Sequence, residues 1–196
     1  MRWLLVLLVL FSCQKEKEVS KLDKKEVTIL IQSLGEIPNS DVVFVAEKIK
    51  NYYPNVKILD RIELPKEAYY KERNRYRADS LLKFLNERTD DNFVTLGLTN
   101  KDISATKGKI KDFGIFGLAY RPGKSAIASS FRAKKETKKE EFFKVAIHEL
   151  GHTQGLKHCK NLNCLMKNAE GKSFGKEVVD FCENCKSFLK TKHWKF

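Results

Sequence analysis

The chain has 196 residues, which suits one domain or one domain with a small appended module. Its 42% hydrophobic and 11% aromatic residues can build a core, so the composition excludes a globally disordered protein. The formal net charge of +13 favours acidic surfaces, acidic peptides or nucleic acid as partners, but lysine and arginine are spread along the chain, which favours a solvated surface instead.

The N-terminus has the pattern of an export signal. Met1 and Arg2 give a positive start, and residues 3–11 form an unbroken apolar run of nine residues. Nine residues are too few to cross a bilayer, so this run predicts the core of a signal peptide rather than a membrane helix. The chain is therefore expected to be exported.

Residues 10–13 (LFSC) resemble a bacterial lipobox, a signal in which the peptide is cut before the cysteine and the cysteine is then lipidated. The resemblance implies that residues 1–12 are a removed signal peptide and that Cys13 carries the lipid, whose acyl chains anchor it in a membrane. It further implies a bacterial membrane lipoprotein, periplasmic or at the cell surface. The alternative is a plain secretory signal with Cys13 at its cleaved end.

A charged segment follows this cysteine. Residues 14–25 are rich in lysine and glutamate and have little apolar content, so they predict a flexible tether. The stretch CQKEKE looks like the surface-export tethers of Bacteroidetes-type lipoproteins. We therefore assign residues 13–25 to the lipidated cysteine and its tether, and residues 26–196 to the folded domain.

The first half of that domain alternates strands with helices. Residues 27–32, 56–64 and 93–98 are apolar runs that predict buried strands. Between them, apolar residues at helical spacing predict one helix that starts at the turn 38–41 and another over 76–88. This order predicts a right-handed, largely parallel sheet packed against helices.

Two short strands, residues 113–120 and 125–131, are predicted around a Pro-Gly turn. An extended peptide substrate can add to an exposed strand edge, and the small residues of the first strand would let it approach; an ordinary inner strand explains them equally well. A third helix is predicted to start near Thr137. After Gly155 the chain becomes loop-rich, and a last helix is predicted over 176–191.

Residues 148–158 (HELGHTQGLKH) have the pattern of a catalytic metal site. His148 and His152 lie four residues apart on a helix and share a face, so both imidazoles can reach one ion. Gly155 ends the helix sharply because glycine adopts left-handed dihedrals without steric cost, and the returning chain delivers His158 as a third ligand. Three neutral imidazoles leave one tetrahedral position of zinc for water, which is the arrangement of a catalytic site.

Glu149 adjoins the first ligand and is predicted to be the general base. It takes a proton from the zinc-bound water, whose pKa the ion lowers to roughly 7, and passes it to the leaving amine of a peptide bond. The full pattern HExxHxxGxxH matches the signature of metzincin peptidases. The alternative, an HExxH with two structural histidines, leaves the glycine and the third histidine unexplained.

The cysteines after the third histidine indicate which family of metzincins the chain resembles. Cys159 follows His158 directly, residues 159–166 read CxxxxCxM, and residues 182–185 read CxxC. This combination resembles the archaemetzincins. The resemblance implies that four cysteines bind a second, structural zinc and that Met166 forms the turn beneath the catalytic site. The implied structural ligands are Cys159, Cys164, Cys182 and Cys185.

Two disulfides are the alternative for these cysteines, because an oxidising periplasm or cell surface favours them. The CxxC pair favours zinc, since it is a common half-site for that ion. A metal clamp at Cys159 would also fix the neighbouring ligand His158 and close a C-terminal region with few apolar residues. The expected cofactors are therefore two zinc ions per chain, one catalytic and one structural.

The sequence as a whole predicts an α/β, metzincin-like fold: a twisted mixed, mostly parallel sheet with helices, an active-site helix and a small loop-rich C-terminal zinc subdomain. Residues 26–155 form the N-terminal subdomain, and residues 156–196 form the C-terminal subdomain with the four cysteines. The predicted function is zinc-dependent hydrolysis of a peptide or protein substrate by a monomer held at a membrane through its lipid.

Two other functions remain open. One is a catalytically quiet zinc-binding module that recognises peptides at the cell surface; the intact Glu149 argues against it, because a pure binder needs no base. The other is a nucleic-acid binder, which the net charge and the paired cysteines suggest. The export signal argues against it, and no basic recognition helix lies between the cysteine pairs, so we expect no nucleic-acid partner.

Overall fold

The computed structural model describes residues 26–169 and 171–196, so the export signal and the tether lie outside the described residues. The strands are β1 (Thr28–Leu34), β2 (Val56–Ile62), β3 (Tyr69–Tyr70), β4 (Arg75–Arg77), β5 (Phe93–Thr99), β6 (Ile103–Lys107), β7 (Ile110–Ile115), β8 (Gly117–Ala119) and β9 (Ser125–Ser129). The α-helices are α1 (Asn39–Lys50), α2 (Ala78–Glu87), α3 (Lys138–Thr153) and α4 (Glu183–Lys190).

The main sheet has five strands in the order β2-β1-β5-β9-β8. The first four run parallel, and β8 runs antiparallel to β9 at one edge. Helices α1 and α3 pack together on one face of the sheet, and α2 packs on the other face. The predicted α/β fold with a mostly parallel sheet is therefore confirmed.

Alternation of side chains along the strands explains why the sheet has a core on each face. In β1, Ile29 and Ile31 are buried on the face covered by α1 and α3, whereas Leu34 joins the cluster beneath α2. In β5, a Cβ atom on Gly97 would lie 2.7 Å from the Leu85 side chain of α2. The glycine therefore lets this helix pack closely against the sheet.

A second sheet, which the sequence did not predict, has the order β3-β4-β6-β7. The prediction of one strand over 113–120 was wrong, because β7 ends at Ile115 in the second sheet and β8 begins at Gly117 in the main sheet. Phe116 lies at the crossing, where its carbonyl accepts a hydrogen bond from the Ser129 amide at 2.7 Å. The strand breaks here because β7 pairs with β6 and β8 pairs with β9. The local pattern of apolar residues contains no information about such pairing between distant strands.

Two helices begin later than predicted. Helix α2 starts at Ala78 because Tyr76 pairs with Ile103 in the second sheet. Helix α4 starts at Glu183, and the residues before it form a loop that brings Cys182 to the other cysteines. Within the described residues, no helix is long and apolar enough to cross a membrane.

Helix α3 carries the HExxH residues. It starts after Thr137, as predicted, where the Glu141 carboxylate accepts hydrogen bonds from the Thr137 hydroxyl at 2.7 Å and the Lys134 amide at 3.2 Å. It ends at Thr153, and Gly155 takes a φ of +109°, which turns the chain back toward the helix. Nearly all of the helix beyond its first turn is buried, so packing fixes its orientation against the sheet.

Candidate active site and metal centres

Helix α3 presents two histidines to one point. His148 and His152 are one turn apart, and their Nε2 atoms lie 3.0 Å from each other. The chain that returns after Gly155 brings the His158 ring centroid to 5.4 Å and 4.9 Å from the centroids of these two rings. The ligand nitrogens of the three residues lie within 4.8 Å of one another, a spacing that a single ion can bridge.

Backbone carbonyls orient the two helical rings. His148 Nδ1 lies 2.6 Å from Leu165 O, and His152 Nδ1 lies 2.7 Å from Leu156 O. A carbonyl oxygen only accepts, so the proton of each ring is on Nδ1, and each Nε2 keeps a lone pair for a metal. The rings are therefore held in the orientation that a metal site requires.

Burial keeps these ligands neutral. Burial, together with the charge of a neighbouring imidazole, lowers the pKa of His148 to about 3 and the pKa of His152 to about 4. Burial, followed by the charge of Arg121, also lowers the pKa of His158. At neutral pH all three imidazoles are unprotonated, which is the form that binds zinc.

Acid should destabilise the zinc-free protein through these histidines. His148 and His152 have pKa values of about 3 and 4 when folded against an ordinary 6.5, so the unfolded chain takes up protons first. Their contribution to stability is complete above pH 6.5 and is lost as the pH falls toward 4. The melting temperature of the zinc-free protein should therefore fall over this pH range. It should fall less steeply in His148→Gln, which lacks one of the two histidines. An equally steep fall in the variant would mean that burial of His148 does not cause the acid destabilisation.

Glu149 lies beside the histidines and is buried against the edge strand β8. A Cβ atom on Gly117 would lie 2.6 Å from Glu149 Cγ, so the glycine makes room for the carboxyl side chain. Burial raises the pKa of Glu149 to about 8, and a zinc ion beside it would favour the carboxylate and oppose this effect. A carboxyl group whose pKa lies near neutrality can both accept and return a proton, as general acid–base catalysis requires.

An open cleft runs past this carboxyl group. Two adjoining cavities, of about 140 Å³ and 360 Å³, share the same four wall residues. One cavity extends along β8, and the other extends toward residues 168–169 and 171–174. The shared residues are Gly117, His148, Glu149 and His158.

Strand β8 exposes main-chain hydrogen-bonding groups beside the cleft, because it forms a free edge of the main sheet. Toward β9, Phe116 O accepts a hydrogen bond from Ser129 N at 2.7 Å. Backbone groups of successive residues point to opposite sides of a strand, so the N–H and C=O groups of Gly117 and Ala119 point away from β9. They are available to another extended chain.

Four cysteines form a second cluster. Cys159 Sγ lies 3.7 Å from Cys182 Sγ, Cys164 Sγ lies 3.7 Å from Cys185 Sγ, and all four sulfurs lie within 4.8 Å of one another. A tetrahedral site with Zn–S bonds of about 2.3 Å has sulfur–sulfur edges of about 3.8 Å. A disulfide bond is about 2.05 Å long, and all four cysteines are free thiols. The cluster therefore fits a structural zinc ion and does not fit two disulfides.

Backbone amides point at the buried sulfurs of this cluster. Cys164 Sγ accepts hydrogen bonds from Cys182 N at 3.2 Å and from Met166 N at 3.4 Å, and such bonds favour the thiolate. Burial has the opposite effect, since it raises the pKa of Cys164 and of Cys185. The positive charge of a metal is what makes these thiols ionise at neutral pH.

Met166 joins the two centres. It lies beneath α3, where a Cβ atom on Gly151 would approach Met166 Sδ to 2.5 Å. Its carbonyl accepts a hydrogen bond from Cys159 N at 2.7 Å, and its amide donates to Cys164 Sγ. Because Cys159 adjoins His158, the position of the third imidazole depends on the cysteine cluster.

The structure brings together the candidate site residues that lie within its described part. The three histidines and Glu149 form one centre, the four cysteines form the other, and Met166 lies between them. Cys13 lies outside the described residues.

Sequence reasoning missed several residues that shape the site. Arg121 lines the cleft, and its charge acts on His152 and His158. The carbonyl oxygens of Leu156 and Leu165 orient two ligands. No motif marks such oxygens, because every residue carries one and only the fold decides which of them meets a histidine.

Comparisons with known proteins agree with this geometry. Residues 17–191 match peptidase family M54. Archaemetzincins from Archaeoglobus fulgidus and Methanopyrus kandleri are 33% and 34% identical over 166 and 162 residues, which cover 83% and 79% of this chain and 98% and 90% of the relatives. The crystal structure of the M. kandleri archaemetzincin matches with a TM-score of 0.69 and 31% identity, covering 89% of this chain and 98% of that chain. The crystal structure of the A. fulgidus archaemetzincin complexed with malonate matches with a TM-score of 0.67 and 31% identity, covering 83% of this chain and 99% of that chain.

Proposed function

The chain belongs to the archaemetzincins of peptidase family M54, and we propose that Glu149 is the general base at a catalytic zinc held by His148, His152 and His158. The protein is a zinc metallopeptidase that acts on peptide or protein substrates and carries one catalytic and one structural zinc. The residue assignment rests on one observation. Three neutral imidazoles converge beside a buried carboxyl group, at the wall of an open cleft.

The reaction follows from the position of Glu149. A zinc ion held by His148, His152 and His158 would supply an activated water molecule and a Lewis acid for the carbonyl of the scissile peptide bond. The Glu149 carboxylate accepts a proton from the attacking water and then delivers it to the nitrogen of the leaving amine. Meanwhile the hydrogen bonds from the Nδ1 atoms of His148 and His152 to backbone carbonyls hold both rings in place.

The substrate main chain pairs with the free edge of β8. Two observations support this placement: the outward N–H and C=O groups of Gly117 and Ala119, and the cavity that runs along these residues to Glu149. Arg121 lies at the same cavity and places a positive charge there. Acidic groups on the substrate are therefore favoured on this side of the scissile bond.

Substituting Gly117 by alanine should displace Glu149 without touching a zinc ligand. The new Cβ atom would lie 2.6 Å from Glu149 Cγ and 2.7 Å from Oε1, so the carboxyl group must move. A displacement of about 1 Å at a reacting group costs on the order of 100-fold in rate, and we expect a loss of that size. Peptide hydrolysis and zinc content, measured on the same preparation, test this prediction.

Gly108→Ala is the matched control for this substitution. It makes the same chemical change in the turn between β6 and β7, where nothing lies within 4 Å of the new Cβ atom, so its activity should stay close to that of the wild type even if its φ of +58° costs some stability. Full activity in Gly117→Ala, with both zinc ions bound, would contradict the placement of Glu149 beside β8.

The protein is an exported bacterial lipoprotein anchored through Cys13, as a monomer without a nucleic-acid partner. Support for the anchor comes from the lipobox-like residues 10–13, and the family match begins only at residue 17. The tether of residues 14–25, fully extended, reaches about 40 Å. Such an anchor keeps the peptidase domain within about one domain diameter of the membrane.

Replacing Cys13 by serine should release the protein from membranes, because no thiol remains to accept the lipid. Cells fed an alkyne-labelled fatty acid should label the wild-type protein and leave Cys13→Ser unlabelled. Membrane fractionation should show the same difference, while peptide hydrolysis by the two proteins stays equal. A wild-type protein that carries no lipid would overturn the anchor and leave the peptidase assignment intact.

A pool of peptides incubated with the zinc-loaded mature chain tests the proposed function. Mass spectrometry should detect new termini that disappear when a chelator removes zinc and return when zinc is restored. If the fully loaded chain cleaves nothing in a diverse pool, the second candidate, a zinc-binding module that recognises peptides in the same cleft, becomes the better description.

A further inference from the structure

A second cavity, which we call the α1–α3 groove, lies between the end of α1, the start of α3 and the loop 173–179, and has a volume of about 600 Å³. The loop separates it from the catalytic cleft. Ser173 and Gly175 line the groove, whereas Phe174 lines the cleft, with its ring centroid 5.2 Å from that of His148. The groove is therefore distinct from the site where hydrolysis takes place.

One wall of the groove is aromatic. The rings of Tyr52 and Phe143 stack at 6.1 Å between centroids and with an interplanar angle of 30°. Val179, which is 70% exposed, adds an apolar side chain to the lining. Phe143 is only 4% exposed, so Tyr52 and Val179 supply most of the apolar surface that an aromatic or branched aliphatic group would cover here.

Lys144, a largely buried residue that carries a positive charge, lines the same groove. Lys144 is only 8% exposed, and its Nζ donates to Gly175 O at 2.7 Å. An ammonium has three N–H donors, and within residues 26–169 and 171–196 Lys144 has no second acceptor and no ion pair. The positive charge of this ammonium in the wall of the groove therefore favours an anionic ligand.

The glutamates near the groove are already engaged. Glu140 pairs with Lys48 at 3.1 Å, and Glu141 accepts the two hydrogen bonds at the start of α3. A hydrogen bond to its own backbone, then Lys167 and last the charge of Lys144, lower the pKa of Glu177. The ion pair of Glu177, however, is with Lys167 at 3.6 Å. No described carboxylate therefore neutralises Lys144 at close range.

The same charges limit what kind of anion fits. Glu140 and Glu141 both line the groove and repel any anion, but they repel a dianion such as phosphate about twice as strongly as a monoanion. A carboxylate carries a single charge and has two oxygens for the unused N–H groups of Lys144. Lys134 and Lys176 also line the groove and add attraction at longer range.

We propose that the α1–α3 groove binds the C-terminal residue of a peptide, with its carboxylate on Lys144 and an aromatic or branched side chain against Tyr52 and Phe143. The rest of the peptide leaves the groove past Val179. This second site is independent of hydrolysis, so it captures a peptide end whether or not the neighbouring cleft is active.

Calorimetric titration of the full mature chain with N-acetyl-phenylalanine tests the proposal. Saturating acetohydroxamate is added first, because a carboxylate also binds an open catalytic zinc and the hydroxamate occupies that position. We expect one equivalent of the probe to bind. N-acetyl-phenylalaninamide, which lacks the charge, should bind at least roughly tenfold more weakly, as the loss of a charged hydrogen bond implies.

Two variants locate the binding. Lys144→Gln keeps a donor for Gly175 O but removes the charge. This variant should bind N-acetyl-phenylalanine roughly tenfold or more weakly than the wild type does. Val179→Glu adds a negative charge at an exposed position of the groove wall and cannot disturb the core. It should also lower the affinity for the probe, because the new carboxylate repels it. Lys190→Gln, an exposed lysine on α4, should have no effect. Equal binding of acid and amide, or binding that acetohydroxamate abolishes, would overturn the proposal.

Discussion

Replacing Glu149 by glutamine is expected to lower kcat/KM for peptide hydrolysis by roughly 100- to 10,000-fold, the range that general acid–base catalysis contributes. Glutamine has nearly the same shape as glutamate but cannot take up the proton of the attacking water. The variant should keep both zinc ions, since Glu149 is not one of their ligands. It should also stay folded, because it removes a buried carboxyl group whose ionisation is costly, as its pKa of about 8 indicates.

Steady-state kinetics on one cleaved peptide, together with metal analysis and thermal unfolding, measure this effect. Glu140→Gln is the matched control, because it makes the same chemical change on the same helix at an exposed residue paired with Lys48. The control should retain wild-type activity. Wild-type activity in Glu149→Gln would mean that another group is the base.

Replacing Cys182 by serine should remove the structural zinc and destabilise the C-terminal region. Its Sγ lies 3.7 Å from Cys159 Sγ, and three remaining thiolates hold zinc less tightly than four. Loss of a structural metal belongs to the mutational effects that exceed about 4 kcal/mol in the free energy of unfolding. Activity should fall as well, because Cys159 no longer holds the adjoining His158 in place.

Metal analysis should find about one zinc per chain in Cys182→Ser and about two in the wild type, and denaturant unfolding should show the loss of stability. Asn184→Ala is the control, since this exposed residue lies between the cysteines of the CxxC pair and ligates nothing. If Cys182→Ser retained two zinc ions and wild-type stability, the cysteine cluster would not be a metal site.

The catalytic and structural centres could be predicted because their chemistry depends on local spacing. His148 and His152 share a helix face whatever the rest of the chain does, and Gly155 is the residue type that lets the chain return with His158. The parallel order of the main sheet could be predicted for a similar reason, since apolar strands that alternate with amphipathic helices pack in few ways.

The parts that were missed depend on contacts between distant segments. The second sheet contains strands of two and three residues, Tyr69–Tyr70 and Arg75–Arg77, which are too short to show any periodicity. The break at Phe116 arises because the residues on its two sides pair with different sheets. The loop before Glu183 had a helical composition, but in the structure it carries Cys182 to the metal cluster instead.

The position of Lys144 in the α1–α3 groove also depends on contacts between distant segments. In the sequence it is one of many lysines, and nothing in its neighbours distinguishes it from an exposed residue. Only the fold shows that it is buried beneath the loop 173–179, with one carbonyl oxygen as its partner. A lysine that lines a groove without a paired carboxylate can be recognised only once the packing is known.

Cleavage of a diverse peptide pool by the wild type and by Glu149→Gln, each shown to contain two zinc ions, tests the central claim most directly. New peptide termini are expected from the wild type, and none above background from the variant. Equal cleavage by the two proteins would contradict the assignment of Glu149 and of the three-histidine centre as the site of hydrolysis.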